Sequence, residues 1–400
     1  MEGQKIKVEN NSILVPNNPI IPYIAGDGIG PEIMRAAMLV WNSAISRVYA
    51  GKRKVVWKEI YAGEKAIEIF GDPLPEETIE AIKSHVVSIK SPLTTPVGRG
   101  YRSLNVKLRQ VLDLYACIRP VKWIKGVPAP VKHPELLDVV IFRENTEDVY
   151  AGIEWKKGSQ EAKKVIDFLR DTFNLEIRGD SGLGLKPISE FATKRITRKA
   201  IQYALENGRK SVTIVHKGNI MKYTEGAFVE WAYEVALNEF EGKVVSEREL
   251  NEPVSEKLIV KDRIADNMFQ QILLEPSEYD IMLLPNLNGD YLSDAVAAQV
   301  GGIGLVPGAN IGDFVALFEP THGTAPQLAG KEIANPTSLI LSGAMMFDYI
   351  GWKEVGSIIR KAVEKTIMDG KMTIDLARKK GVEPLKTTEF AEEIIKNIEE

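Results

Sequence analysis

Cysteine is nearly missing from this 400-residue sequence, where Cys117 stands alone. No disulfide can close within the chain and no cysteine-based zinc cluster can form, so a reducing, cytoplasmic setting is expected. Long apolar runs are missing too. No stretch approaches the roughly 20 apolar residues that span a bilayer, and the N-terminal MEGQKIKVENNSILVPNN is polar where a secretion signal needs an apolar core. Basic excess is a third absence: 51 Lys and Arg face 55 Asp and Glu, a net charge of -4. No global field gathers nucleic acid or an anionic membrane, so any anion site has to be local. The common nucleotide signatures are absent as well. No G-x-G-x-x-G opens a helix, and the Gly-Lys pairs at Gly51, Gly242, Gly330 and Gly370 lack the Ser or Thr of a phosphate loop. An ordinary Rossmann dehydrogenase and a P-loop kinase are disfavoured.

What is present is a globular composition, 44% apolar and 26% charged, long enough for two or three lobes at about 100 to 200 residues each. IIPYI reads as a buried strand, AGDGIGPE as a glycine turn, and Ile33, Ala36, Ala37, Val40 and Trp41 recur at helical spacing behind Pro31. The alternation returns at VVSIKSPL, DVVIFREN, SVTIVHKGN and YDIMLLPNLNGD, which predicts an α/β fold. GDGIG is misspaced for a dinucleotide loop and serves equally well as a tight turn needing positive φ. Between about residues 150 and 190 a polar, glycine-rich and less periodic insert reads as an appended arm.

Three constellations carry chemistry. Asp290 and Asp294 lie one helical turn apart behind a strand, so their repulsion is relieved by a hard divalent cation; an N-cap aspartate with a solvated neighbour is the plainer alternative. Asp266 shares a helical face with Phe269 and Leu273, where packing would favour an apolar residue, and a carboxylate buried there needs a cation. Arg109, Arg119 and Arg143 stand in apolar surroundings; singly each suits a salt bridge, together they suit a polycarboxylate. Ser103 and Asn105 could add neutral hydrogen bonds. Tyr150 and Lys217 follow strand-like runs and could serve as acid and base if neighbours tune them.

SPLTTPVGRGYRSLNVKLRQVLDLYACIRPV, KHPELLDVVIFRENTEDVYAGIEW, VHKGNIMKYTEGAF, RIADNMFQQILL, NLNGDYLSDAVAAQVGGIG and EPTHGTAPQLAG, taken in order, closely resemble the prokaryotic isocitrate dehydrogenases. The resemblance implies the α/β, non-Rossmann fold of the isocitrate/isopropylmalate β-decarboxylating dehydrogenases. It implies a large domain of 1–114 and 301–400, a small domain of 115–147 and 190–300, and a clasp arm of 148–189. It further implies a homodimer whose two sites are each shared between chains. On that likeness Ser103, Asn105, Arg109, Arg119 and Arg143 would bind isocitrate, and Tyr150 and Lys217 would move protons. Asp266, Asp290 and Asp294 would hold Mg2+ or Mn2+. The implied reaction is oxidative decarboxylation of isocitrate to 2-oxoglutarate, a step of the citric acid cycle, with Lys217 helping to remove the hydroxyl proton and Tyr150 protonating carbon. The isopropylmalate and homoisocitrate enzymes are the sibling alternatives, and the Ser103 to Asn105 loop favours isocitrate. A phosphate on Ser103, a control used by some relatives, would repel the substrate. A catalytically silent regulatory homologue is the alternative of another class, against which the complete residue set argues.

For the cofactor, the resemblance implicates Thr94, His322, Gly323, Thr324, Ala325, Pro326, Gln327, Leu328, Asn335, Ile374 and Arg378. Gln327 and Leu328 stand where NADP-dependent relatives carry Lys-Tyr, Ile374 where they carry Tyr, and Glu275 where a partner Arg reaches over. Only Arg378 remains for a 2′-phosphate, a deficit worth several kcal/mol if the site is partly desolvated. NAD is therefore expected over NADP, with dual use open because Gln327 is not the Asp of typical NAD enzymes.

Overall fold

The computed structural model describes residues 2–10, 12–96, 101–250 and 256–399; the stretch 97–100 of the SPLTTPVGRGYRS motif lies outside them. Among the described residues eleven strands make one mixed sheet. From one edge the order is Val244–Ser246, Leu258–Ile264, Ser211–His216, Ile281–Leu284, Asp138–Glu144, Ala116–Lys122, Pro307–Ile311, Ala316–Pro320, Val87–Lys90, Ile20–Ile24 and Val56–Glu59. The first five run parallel to one another, and so do the last four. Antiparallel pairing around Ala116–Lys122 and Pro307–Ile311 joins the two runs, which therefore point in opposite directions.

Helices cover both faces, which explains why Ser211–His216 and Ile281–Leu284 are buried at every residue and read as unbroken runs. Helix Gly30–Tyr49 begins with proline in its first turn and buries Ile33, Ala36, Ala37, Val40 and Trp41, as its spacing predicts. It packs against helix Thr387–Glu399 from the other end of the chain. The GDGIG segment is a tight turn: Gly26 and Gly28 have φ of +79° and +60°. It also abuts the 322–326 loop, because a Cβ on Gly28 would lie 2.2 Å from the Thr324 carbonyl oxygen and the Ile29 amide donates to that oxygen at 3.0 Å.

Two expectations need correction. The 150–190 segment is more regular than its composition suggests. It holds the 14-residue helix Gln160–Phe173, capped by Ser159, between the paired strands Glu154–Trp155 and Leu183–Gly184. Ala162, Val165, Ile166, Leu169 and Phe173 recur there at helical spacing, a period the polar composition of the segment overshadowed. Asp290 is not an N-cap, since helix Asn286–Gln299 starts a full turn before it behind Pro285. Among the described residues no helix is long and apolar enough to cross a membrane.

Candidate active site

Strand alternation places the arginines. Arg119 and Arg143 rise from the adjacent strands Ala116–Lys122 and Asp138–Glu144, and Arg109 comes from helix Leu104–Val111, which Ser103 caps by accepting from the Val106 amide at 3.4 Å. All three are buried, Arg143 to 1% exposure. Arg143 Nε donates to Asn286 Oδ1 at 2.9 Å and its Nη1 donates to Asp290 Oδ1. Its side chain lies along Gly289, where a Cβ would come within 2.6 Å of Arg143 Cγ. Arg119 Nη1 donates to Ser293 Oγ at 2.6 Å and lies 3.8 Å from Asp294. Burial, then the charges of Arg109 and Arg119, push the Arg143 pKa below its ordinary value. The three guanidiniums thus form one positive cluster.

Glu319 anchors the cluster, and sequence reasoning missed its role. Its buried carboxylate accepts from Arg109 at 2.9 Å and from Asn310 Nδ2 at 2.6 Å on Oε1, while Lys90 Nζ lies 2.6 Å from Oε2. Burial opposes ionisation there, but Lys90 and Arg109 outweigh it and hold the carboxyl well below the usual range. The available signal was an ionisable residue at the end of an otherwise apolar strand, for Lys90 in VVSIK and for Glu319 in VALFE alike. Asn105 Oδ1 and Arg109 Nε are buried with no hydrogen-bond partner among the described residues. Unmet polar groups of opposite kind beside a positive cluster suit a ligand bearing carboxylates and hydroxyls.

Tyr150 joins this cluster. Its hydroxyl donates to Asp290 Oδ2 at 2.6 Å, and the Arg143 guanidinium lies 4.9 Å from its ring centre. Burial and the Asp290 hydrogen bond push the phenol up to about 12. For Asp290 burial works against ionisation, yet Arg143 and the Tyr150 hydroxyl lower its pKa overall; burial, and next to it Asp290, raises that of Asp294 against the pull of Arg119. Asp290 and Asp294 therefore form an unequal carboxylate pair on one helix face, hard oxygen donors open to further ligands and suited to a divalent cation.

Asp266 pairs with Lys217, Lys217 Nζ lying 2.5 Å from Asp266 Oδ1. The expected burial of Asp266 is corrected: its side chain is 69% exposed, because helix Ala265–Leu274 turns Met268 and Ile272 inward and leaves Asp266, Phe269 and Leu273 outward. Among the described residues no three acidic, histidine or cysteine side chains gather as one metal site, so Asp266 does not join Asp290 and Asp294 within the chain.

The remaining candidates line a loop system beside the sheet. The Thr94 amide donates to Asp27 Oδ2 at 2.7 Å. His322 to Pro326 leave strand Ala316–Pro320 and enter the short turn Pro326–Leu328 through Ala325, whose φ is +38°. His322 Nε2 is buried without a partner among the described residues, and burial lowers the ring's pKa, which favours the neutral imidazole. Asn335 Nδ2 donates to Asp375 Oδ2 at 3.0 Å, which brings the 335 segment to helix Ile374–Lys380 with Ile374 and the exposed Arg378. Asp375 was not foreseen. Gly323 and Gln327 are exposed, Thr324 and Leu328 half-buried. Glu275 is exposed at the end of the Asp266 helix.

Residues 20–394 match the family model described as isocitrate/isopropylmalate dehydrogenase. A protein of Archaeoglobus fulgidus named "Isocitrate dehydrogenase (NADP)" is 58% identical, covering 99% of this chain and 97% of its own length. A Streptococcus mutans protein of the same name is 53% identical over 98% of this chain and 99% of its own. The crystal structure titled isocitrate dehydrogenase from Methylococcus capsulatus superposes with a TM-score of 0.80 at 37% identity, covering 95% of this chain and 99% of that one. With the mixed sheet, the arginine cluster and the carboxylate pair in agreement, the chain belongs to the isocitrate/isopropylmalate dehydrogenase family.

Proposed function

We propose that this protein catalyses the oxidative decarboxylation of isocitrate to 2-oxoglutarate and carbon dioxide with reduction of a nicotinamide dinucleotide. The observation that carries the reading is the convergence of three buried guanidiniums on the Tyr150–Asp290 pair. Arg109, Arg119 and Arg143 bind the substrate carboxylates as bidentate forks, Ser103 and Asn105 take its distal group, and Glu319 holds Arg109 in place. Tyr150, kept protonated, donates to carbon, and Lys217 accepts the hydroxyl proton. A divalent cation on Asp290, Asp294 and Asp266 supplies Lewis-acid polarisation of substrate oxygens when bound. The names of the relatives support isocitrate as substrate. The test is spectrophotometric: purified protein with magnesium and isocitrate should reduce a nicotinamide cofactor, and turnover of isopropylmalate or homoisocitrate instead would move it to a sibling activity.

Because Asp266 does not gather with Asp290 and Asp294 among the described residues, the complete site needs a second copy of the chain. The helices bearing these acids expose Phe269, Leu273, Leu274 and Tyr291, at 37%, 55%, 64% and 59%, an apolar area a homodimer would cover. The lobes 1–114 with 301–400 and 115–147 with 190–300, the clasp arm 148–189 and a cytoplasmic setting belong to the same proposal. The relatives' names specify NADP, whereas Gln327, Leu328, Ile374 and Glu275 leave only Arg378 for a 2′-phosphate. NAD ranks first as cofactor in this reading, with NADP retained as a substrate.

A further inference from the structure

Three ionisable side chains outside the substrate and metal sets meet beneath the site. Asp148 is 1% exposed and Glu225 0%, and Lys186 Nζ lies between them, 2.5 Å from Asp148 Oδ1 and 3.0 Å from Glu225 Oε1. Each carboxylate holds a different part of the machinery. Asp148 begins the turn Asp148–Ala151 that carries Tyr150, in a left-handed conformation with φ +68° that a non-glycine residue keeps only when held. Its carboxylate holds it, accepting from the Val149 amide at 2.7 Å and from the Leu287 amide at 2.9 Å. Glu225 Oε2 accepts from the Lys217 amide at 2.5 Å and from Asn288 Nδ2 at 2.8 Å. Both turns are thus tied to the first turn of the helix that bears Asp290 and Asp294.

Lys186 links the two ties. Oε1 of Glu225 has no hydrogen-bond donor among the described residues, so the Lys186 charge is what compensates its burial. The arm segment that carries Lys186 is itself fastened there: the Asp148 amide donates to the Pro187 carbonyl at 2.9 Å and the Ser189 amide to Glu147 at 2.6 Å. We propose that Lys186, bridging the buried carboxylates of Asp148 and Glu225, is a positioning residue that fixes the Tyr150 turn relative to the Lys217 turn. In the shared-site dimer a chain gives Tyr150 to one site and Lys217 to the other, so the bridge mechanically joins the two sites.

The inference rests on Tyr150 and Lys217 being the proton-transfer pair, so Tyr150→Phe and Lys217→Met are assayed beside the Lys186 variants. Lys186→Met is expected to lower kcat about 10- to 100-fold, the scale of an ångström misplacement of reacting groups. The KM for isocitrate should change by less than about threefold, since the arginines are untouched. Lys186→Arg keeps the cation and should restore most of kcat. Wild-type kcat in folded Lys186→Met overturns the inference, and so does a loss confined to KM or one that Lys186→Arg fails to relieve. If Lys186→Met does not fold, Lys186→Gln with Glu225→Gln removes one charge of each sign together; low kcat at unchanged KM supports the inference and wild-type kcat overturns it. Full activity in Tyr150→Phe and Lys217→Met would instead defeat the proton-transfer reading and the inference with it.

Discussion

Tyr150 gives its hydroxyl hydrogen bond to Asp290 at 2.6 Å while the Arg143 guanidinium, bonded to the same carboxylate, lies over its ring. One carboxylate therefore aligns the proposed acid and one substrate-binding fork. Removing the hydroxyl should lower kcat of Tyr150→Phe by about 10- to 1,000-fold while leaving the isocitrate KM nearly unchanged, as for loss of a general acid. Steady-state kinetics at saturating isocitrate check this. The phenol is raised from 10.0 to about 12, so the stability it contributes is complete below pH 10 and lost as pH climbs toward 12. Tyr150→Phe should accordingly lose less stability than wild type between those two pH values, measured by denaturant midpoints.

Glu319→Gln should be more harmful than its single lost charge suggests. It leaves Lys90 and Arg109 buried side by side with their common counter-ion gone. Breaking such a buried set costs about 3 to 5 kcal/mol, and a displaced Arg109 should raise the isocitrate KM. Because the Glu319 pKa is depressed from 4.5, its stabilisation is full above that value and lost as pH falls below it. Chemical denaturation of wild type and variant across the acid range should show the gap closing at low pH; a constant gap would refute the charge argument.

Subunit sharing predicts complementation. Lys217→Met and Arg109→Ala should each be nearly inactive, and a mixture taken through subunit exchange should regain about a quarter of wild-type activity, since half the dimers are mixed and hold one intact site. Exchange verified by differently tagged subunits, without recovery, would count against a site built from two chains.

Cofactor ranking is tested by one added charge. Gln327→Lys should raise kcat/KM for NADP over NAD by about tenfold, the effect of one charge-assisted contact of roughly 1.4 kcal/mol. The wild-type ratio comes from the same assays, and a wild-type preference for NADP would overturn the charge argument.

The arginines could be read from the sequence because a guanidinium in an apolar stretch is a local anomaly, visible whatever packs around it. Asp266 was misjudged for an instructive reason. Helical spacing reveals that Phe269 and Leu273 form an apolar face, but says nothing about whether this chain or a second one covers it. Glu319 was hidden differently: its partner Arg109 is 210 positions away, and no periodicity encodes a contact between a strand and a helix so far apart. Lys186 was concealed in the arm, where polar neighbours make one half-buried, ion-paired lysine look like many exposed ones. The strands, being buried on both faces, announced themselves as apolar runs.

Helix Gly30–Tyr49 leans on helix Thr387–Glu399, and the late strand pair Pro307–Ile311 and Ala316–Pro320 inserts between Ala116–Lys122 and Val87–Lys90. A ribosome therefore delivers one support of the first long helix long after the helix itself. Trp41 is covered earlier, by helix Thr337–Tyr349, whose Ile340 carbonyl accepts from its indole at 3.1 Å, whereas the flank of the early helix that meets Thr387–Glu399 waits longer. Nascent chains stalled shortly before residue 387 should thus be chaperone clients, and deletion of residues 387–399 should harm yield far more than its length implies.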